Sequence, residues 1–441
     1  MRQRDASDLA PPQDPEGSAA ARILAPLGAR DFRWLFVSNV FFFFAMGSQQ
    51  VARAWLAFEL TGSEFDLGLT MLAVSLPMTV LSAFGGVAAD RLERRRLILI
   101  GQALAAACQL VVSWLILTER IAFWHLMVSA AVMGCVFPFI MPARQAIVAN
   151  VVGMSRLTSA MSLNMMAMNA TRVVGPAAAG FLIAGYGIGP TYLLGSALMV
   201  LAWICVLFIG PAAPAAPPRG QSMWNSLSEG ISYLGERRLI LILLTFGLIP
   251  TSLAMPFQNL LVVFTEEVWE VGADGFGLLS AMGGLGGTIG ALWVAGQSEA
   301  HRLRKMVASG VAFGLLLFLF SQSPWYQPAI ALVFLANIFA SVFTTLNNTS
   351  IQMLIPDAVR GRISSFLMMS FSLPMLGTLP VSFAAEIYGA PIAIGACALL
   401  ASGVTLVYYA ASPALRRVDA ELDAEAALRA GADAPMQAGR A

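Results

Sequence analysis

Two arginines stand inside long apolar runs of this sequence. Arg53 follows Gln49 by four residues, which puts both on one face of a helix, and Arg172 shares a face with Asn169, Met165 and Met168. An ionised side chain in a lipid-immersed helix costs roughly 2.5 to 3.5 kcal/mol on insertion scales, so each needs a partner or a wetted cavity. Their chemistry is charge pairing, with a carboxylate or with an anionic solute. For Arg53, late in its run, the alternative is a side chain that snorkels to the headgroups.

Carboxylates are scarce in the same runs. Glu59, Asp66 and Glu386 lie near run ends, where a carboxyl can take a proton from one side of a membrane and release it to the other, or else serve only as a solvated helix end. Neutral polar residues are denser: Asn39, Gln49 and Gln50 in the first run, Asn164 and Asn169 in the fifth, Gln258 and Asn259 in the seventh, Asn337, Asn347 and Asn348 in the tenth. Their concentration in four of the runs suits a cavity lining, although any one of them can instead tie two helices together. Met161, Met165, Met166 and Met168, with Phe41 to Phe44, offer a soft apolar wall for varied ligands or ordinary packing.

Other chemistries lack their residues. The only histidines are His125 and His301, and Cys108, Cys135, Cys205 and Cys397 show no paired or metal-ligand spacing, so neither a membrane enzyme nor a metal site is expected. Gly283 to Gly290 is rich in glycine but is not followed by Lys-Ser, and the single lysine is Lys305; no nucleotide loop is present and no cofactor is expected. A net charge of +1 with scattered basic residues argues against nucleic acid.

Of the 441 residues, 58% are hydrophobic and 12% charged, about half the charged share of an ordinary soluble domain. Runs of roughly 20 apolar residues, enough to cross about 30 Å of hydrocarbon, recur along the chain. They predict spans at Trp34–Phe58, Phe65–Ala89, Leu97–Thr118, Ile121–Pro142, Ser159–Ala184, Ile188–Gly210, Leu239–Phe264, Gly275–Gln297, Met306–Ser321, Pro328–Ser350, Ile363–Ala385 and Ala390–Ala411. The fold class is therefore an all-α membrane protein of about twelve transmembrane helices. The seventh and tenth spans are polar enough to be broken or tilted.

With both ends on one side, that side's loops collect Arg91, Arg94, Arg95, Arg96, Arg144, Arg156, Arg219, Arg237, Arg238, Arg302, Arg304, Lys305, Arg360 and Arg362, against Arg120 alone opposite. Basic loops mark the cytoplasm, so both termini are expected there, in a bacterial inner membrane. The segment from Pro211 to Gly220 carries Pro211, Pro214, Pro217 and Pro218 and cannot be helical; Ser222 to Arg238 then places Trp224, Leu227, Ile231 and Leu234 on one face of a surface helix. The organisation read from this is a tail (1–33), a six-helix bundle (34–210), a linker (211–238), a second six-helix bundle (239–411) and a tail (412–441).

The halves repeat. Gly175-Pro176 through Tyr186-Gly187 parallels Gly377 through Tyr388-Gly389, and Gln145 to Arg156 parallels Ile351 to Arg362. Between the second and third spans stands Gly86-Val-Ala-Ala-Asp90-Arg91-Leu-Glu93-Arg94-Arg95-Arg96. A glycine four residues ahead of Asp-Arg and a basic cluster resembles the signature loop of the major facilitator superfamily, with Glu93 in place of a usual glycine. Leu60-Thr61-Gly62-Ser63, Leu76-Pro77, Gly175-Pro176 and Ile355-Pro356-Asp357 with Arg360-Gly361-Arg362 resemble that superfamily's bacterial exporter branch, which includes enterobactin-type siderophore and macrolide effluxers.

The resemblance implies two six-helix pseudo-repeats that rock about a central site, with Gly86, Asp90, Arg91 and Arg94 as a conformational latch and Gly175, Pro176 and Gly180 as a helix-bend motif. Expected site residues are Gln49, Gln50, Arg53, Asn164, Asn169, Arg172, Gln258, Asn259, Asn337 and Asn347 for the cavity, and Glu59, Asp66 and Glu386 for proton coupling. The expected partners are membrane lipid and a small molecule, drug or siderophore-like, exported by a monomer at the expense of a proton gradient. A lysophospholipid carrier or flippase, and a sensor or scaffold that moves nothing, are the alternatives.

Overall fold

The computed structural model describes residues 24–211, 238–297, 301–355, 372–422 and 424, leaving aside the side chains of Ala83, Val87, Asp90 and Arg238. The expected linker helix and the Arg360-Gly361-Arg362 turn lie outside the described residues. Among the described residues twelve helices are eleven residues or longer: α1 Arg30–Thr61, α2 Glu64–Arg91, α3 Arg94–Leu117, α4 Phe123–Val152, α5 Leu157–Tyr186, α6 Ile188–Leu207, α7 Arg238–Ala254, α8 Gly272–Ala295, α9 Arg302–Ser321, α10 Tyr326–Leu354, α11 Thr378–Tyr388 and α12 Ala390–Ala411. Ten of the described helices are long and apolar enough to cross a bilayer. The other two are α5, whose Asn164, Asn169 and Arg172 dilute its apolar surface, and α11, described only in part. At 30 residues α5 is still about 45 Å long and packs between α1 and α8.

Of the two spans expected to be broken or tilted one is broken, and the fourth departs from its expected bounds. The seventh is broken at Met255-Pro256: α7 stops at Ala254, Phe257–Val263 resumes the path, and Phe264–Val268 widens into a π turn. Irregular backbone at membrane depth survives where protein or a cavity surrounds it. The tenth span is one unbroken helix. The fourth does not end at Pro142, for α4 carries Pro138 and Pro142 inside and runs to Val152. Arg144 is thus a membrane-helix residue and not, as its neighbouring proline suggested, a loop cation.

The duplication is legible in the packing. In the first half α2 pairs with α4, α3 with α4 and α6, and α1 with α6; in the second α8 pairs with α10, α9 with α10 and α12, and α7 with α12. The turns repeat too. Gly187 between α5 and α6 and Gly389 between α11 and α12 both sit at φ 84°, a conformation open to glycine and strained for other residues.

The halves meet along α5 with α8 and α2 with α11, the same pairing taken in both directions. We call the end of the bundle that carries the described chain ends the tail face and the opposite end the far face. At the tail face each half has its own core: Phe32, Ile98, Ile147 and Val206 in the first, Leu243, Leu303, Phe343 and Leu415 in the second. Towards the far face one core crosses the boundary, joining Leu67, Ala179 and Ile183 to Phe276, Val381 and Ala385. The halves are therefore sealed together at the far side and separately packed at the tail side.

Candidate functional site

The seal consists largely of missing side chains. A Cβ built on Gly180 of α5 would lie 2.5 Å from the Cα of Gly277 in α8, and one on Gly284 would lie 2.7 Å from the carbonyl oxygen of Arg172. On the other side of the seam, a Cβ on Gly68 of α2 would lie 2.7 Å from that of Ser382 in the α11 span. Small residues let main chains touch, which is how helices gain dispersion energy in lipid where no hydrophobic drive exists between them. Thr79 Oγ1 donates to Ser372 Oγ at 2.9 Å, and Trp55 stacks at 6.5 Å on Phe276.

Beneath this seal, midway along the helices, is a small chamber of ≈ 90 Å³ lined by Gln50, Arg172, Gln258, Asn259, Ser280 and Asn337 together with apolar residues such as Phe276 and Leu279. A larger one of ≈ 270 Å³ lies on its tail side, between Leu244, Thr251 and Met255 of the broken span, Thr344, Asn347 and Asn348 of α10, and Met375. Arg172 lines both. It stands midway along α5, and among the described residues its guanidinium has no hydrogen bond or ion pair, nor does either chamber include a carboxylate. The side chain is exposed and contributes to the walls of both chambers.

The amides divide into engaged and unengaged. Gln258 Nε2 donates to Asn337 Oδ1 at 3.4 Å, and Asn337 Nδ2 donates to the Val333 carbonyl at 2.9 Å. Gln50 and Asn259 have no partner among the described residues, so with Arg172 they present free donors to one space. Asn347 lines the larger chamber and keeps a buried Oδ1 unsatisfied.

The rest of the expected lining lies elsewhere. Gln49 and Arg53 do share a face, but that face turns into the first half: Gln49 Oε1 accepts from Gln109 of α3, and Arg53 lies near Tyr192 of α6 with its Nε buried and unpaired. The cavity face of α1 is the adjacent one, carrying Gly47, Gln50 and Ala54. Asn164 also looks inward, accepting at 3.0 Å from Asn39 Nδ2, and Asn169 lines neither chamber.

Arg144 was missed as an interior group. It is 3% exposed, donates to Asn39 and, at 3.2 Å, to Ser38 Oγ, and lies 4.3 Å over the Phe42 ring. Neutral oxygens and a π face thus replace a counter-ion, cementing α4 to α1. Ser280, Thr251 and Thr344 were missed too, being single small polar residues that apolar helices hold routinely for backbone bonding.

Of the expected latch, Arg94 Nη1 donates to the Ala146 carbonyl at 3.1 Å and to Asn150, and its Nε reaches the Ala89 carbonyl at 3.5 Å, closing the end of α2 onto α4. A Cβ on Gly86 would meet nothing within 4 Å among the described residues; the close approach is at Gly85, 2.0 Å from the Pro138 carbonyl oxygen. Pro176 packs its Cδ 3.2 Å from the position of a Gly47 Cβ, and Ser48 donates to the Gly175 carbonyl at 3.1 Å, so the helix-bend motif joins α5 to α1 as well as to α8. Glu59 is exposed at the far face, Asp66 is half-buried, and Glu386 reaches across the seam to Ser63 and Phe65.

Known proteins share this architecture. The solved structure of the nucleoside transporter NupG superposes with a TM-score of 0.70 over 86% of this chain and 98% of its own, at 14% identity, which shows the fold. The staphyloferrin A transporter of Staphylococcus aureus is 25% identical over 86% of this chain and 95% of its length. The multidrug efflux pump Tap of Mycolicibacterium fortuitum is 27% identical over 84% and 92%, and the enterobactin exporter EntS of Escherichia coli 26% identical over 76% and 80%. The family model described as transmembrane secretion effector matches residues 21–433. The chain is accordingly a multi-pass membrane transporter of the major facilitator superfamily, and it belongs to the transmembrane secretion effector family.

Proposed function

We propose that this transporter exports a small amphipathic or anionic molecule, drug or siderophore-like, from the cytoplasm of a bacterium by alternating access, with a proton gradient as the energy source. The observation that carries the reading is the Arg172 guanidinium, unpartnered midway along α5 and shared by two chambers that include no carboxylate among the described residues. A cation held in lipid without a counter-ion is costly, and an anionic solute that supplies the missing charge recovers that cost on binding. A cationic drug would find the wrong sign there. The names of the relatives, a siderophore transporter, a multidrug pump and a siderophore exporter, agree with an exported organic molecule.

The tail face, with its arginine-rich loops, is taken as cytoplasmic. The described conformation is then loaded from inside and closed to outside. Proton entry is assigned to the far-face carboxyls Glu59, Asp66 and Glu386, of which Glu386 bridges the two halves. Everted vesicles given an imposed pH gradient should accumulate an anionic amphiphile, and a protonophore should abolish the accumulation. Accumulation that persists after the gradient is dissipated contradicts proton coupling, and an Arg172→Gln variant that accumulates as much as the wild type contradicts the site.

A further inference from the structure

The two chambers differ in size and in chemistry, and only Arg172 belongs to both. The ≈ 90 Å³ chamber has room for about three waters at liquid density, and the ≈ 270 Å³ chamber for about nine. The first is therefore too small for a whole drug-sized molecule and fits a short polar group. Its walls supply the unengaged donors of Gln50 and Asn259 beside the guanidinium, and its apolar side is closed by Phe276 and Leu279. The second has the apolar and thioether walls of Leu244, Leu248, Met255 and Met375, relieved by Thr251 and Asn347.

We propose that these are two subsites of one bipartite ligand. The deep chamber takes a carboxylate head group, and the tail-side chamber takes an amphipathic body attached to it. Arg172, at the junction, holds the head while the body remains on the tail side, so the charge is met by Arg172 of the first half, with donors from both halves, and the body is met by the second. Planar guanidinium and amide donors match the two oxygens of a carboxylate, whereas a soft methionine-lined wall tolerates bodies of differing outline. Transported molecules would then share an acidic terminus and little else.

This inference rests on the transport reading above but is tested by binding alone. The probes are dansyl-glycine and dansyl-glycinamide, which have the same body and differ in the ionised head, titrated by fluorescence against the purified full-length protein in nanodiscs. The wild type should bind the carboxylate roughly tenfold more tightly than the amide, the size expected of a charge-assisted hydrogen bond. The ratio should fall stepwise through Ser280→Val and Ser280→Leu as the deep chamber fills, reaching about one in the latter. Thr344→Leu, on the tail side, should instead weaken both probes together and leave the ratio in place.

A ratio indifferent to the Ser280 series, a ratio of one in the wild type, or no binding of either probe overturns the two-subsite assignment. Measuring the amide on each variant guards against a misfolded protein, since loss of amide binding in Ser280→Leu also contradicts a separate body site. Vesicle flux that fails while the ratio behaves as described refutes the transport reading and leaves the subsites standing.

Discussion

The carboxylate of Glu386, at the end of α11, accepts a hydrogen bond at 3.0 Å from the hydroxyl of Ser63, the residue that caps α2 in the opposite half. The same oxygen accepts from the Phe65 amide at 3.1 Å, while Ser63 Oγ also accepts from the Asp66 amide at 3.3 Å. One half therefore completes the helix cap of the other in this closed arrangement of the far face.

Removing this cap should loosen the far gate. Loss of a helix-capping interaction costs about 1 kcal/mol, or roughly a fivefold change in the ratio of closed to open forms. In a Glu386→Ala variant with its native cysteines replaced, a reporter Ser280→Cys should label several-fold faster with a membrane-impermeant maleimide added to the far side. Unchanged labelling would mean that the cap is incidental.

Adding bulk to the glycine seam should have a larger effect in the same direction. Gly277→Val forces a side chain against the Gly180 main chain, and overpacking of this kind costs typically about 1 to 3 kcal/mol. Export should drop by roughly tenfold or more, with the reporter cysteine left open to far-side label. Normal flux with normal protection would show that the halves do not close here.

The two membrane arginines that look alike in sequence should behave differently. Arg172→Gln should weaken anionic ligands roughly tenfold or more, with Arg172→Lys intermediate because a point charge replaces a fork. Arg53→Met should alter thermal stability and leave the preference for anions in place, since its guanidinium lies within the first half. Equal loss of anion preference in both variants would return Arg53 to the cavity.

Arg144 is expected to be structural. Arg144→Ala strands the Asn39 Oδ1 it now satisfies, at about 1 to 3 kcal/mol for the buried group left unpaired, while Ser38 Oγ keeps its hydrogen bond to the Ala202 carbonyl. A clear fall in the melting temperature of the purified protein, only partly restored by Arg144→Lys, is the expected result. A variant that melts like the wild type would remove Arg144 from the packing of α4 on α1.

What the sequence conveyed follows from what lipid makes visible. Apolar runs, the proline-rich break after Gly210 and the repeated Tyr-Gly turns announce helices, halves and duplication, because each reflects a backbone requirement that water or lipid imposes locally. Which face of a helix meets the cavity does not. A lipid-facing leucine and a core-facing leucine are equally apolar, so α1 carries no stripe that separates Gln50 from Gln49, and the two turned out to face different spaces. Arg144 was hidden for another reason. Pro142 imitates a helix end, and only the packing of α4 against its neighbours shows that the helix continues.

The bare contact between Gly180 and Gly277 has an electrical corollary. Two peptide backbones pressed together leave no room between them for a file of waters, the medium along which protons hop. At that point of the seam the barrier is main chain against main chain, made by the absence of side chains.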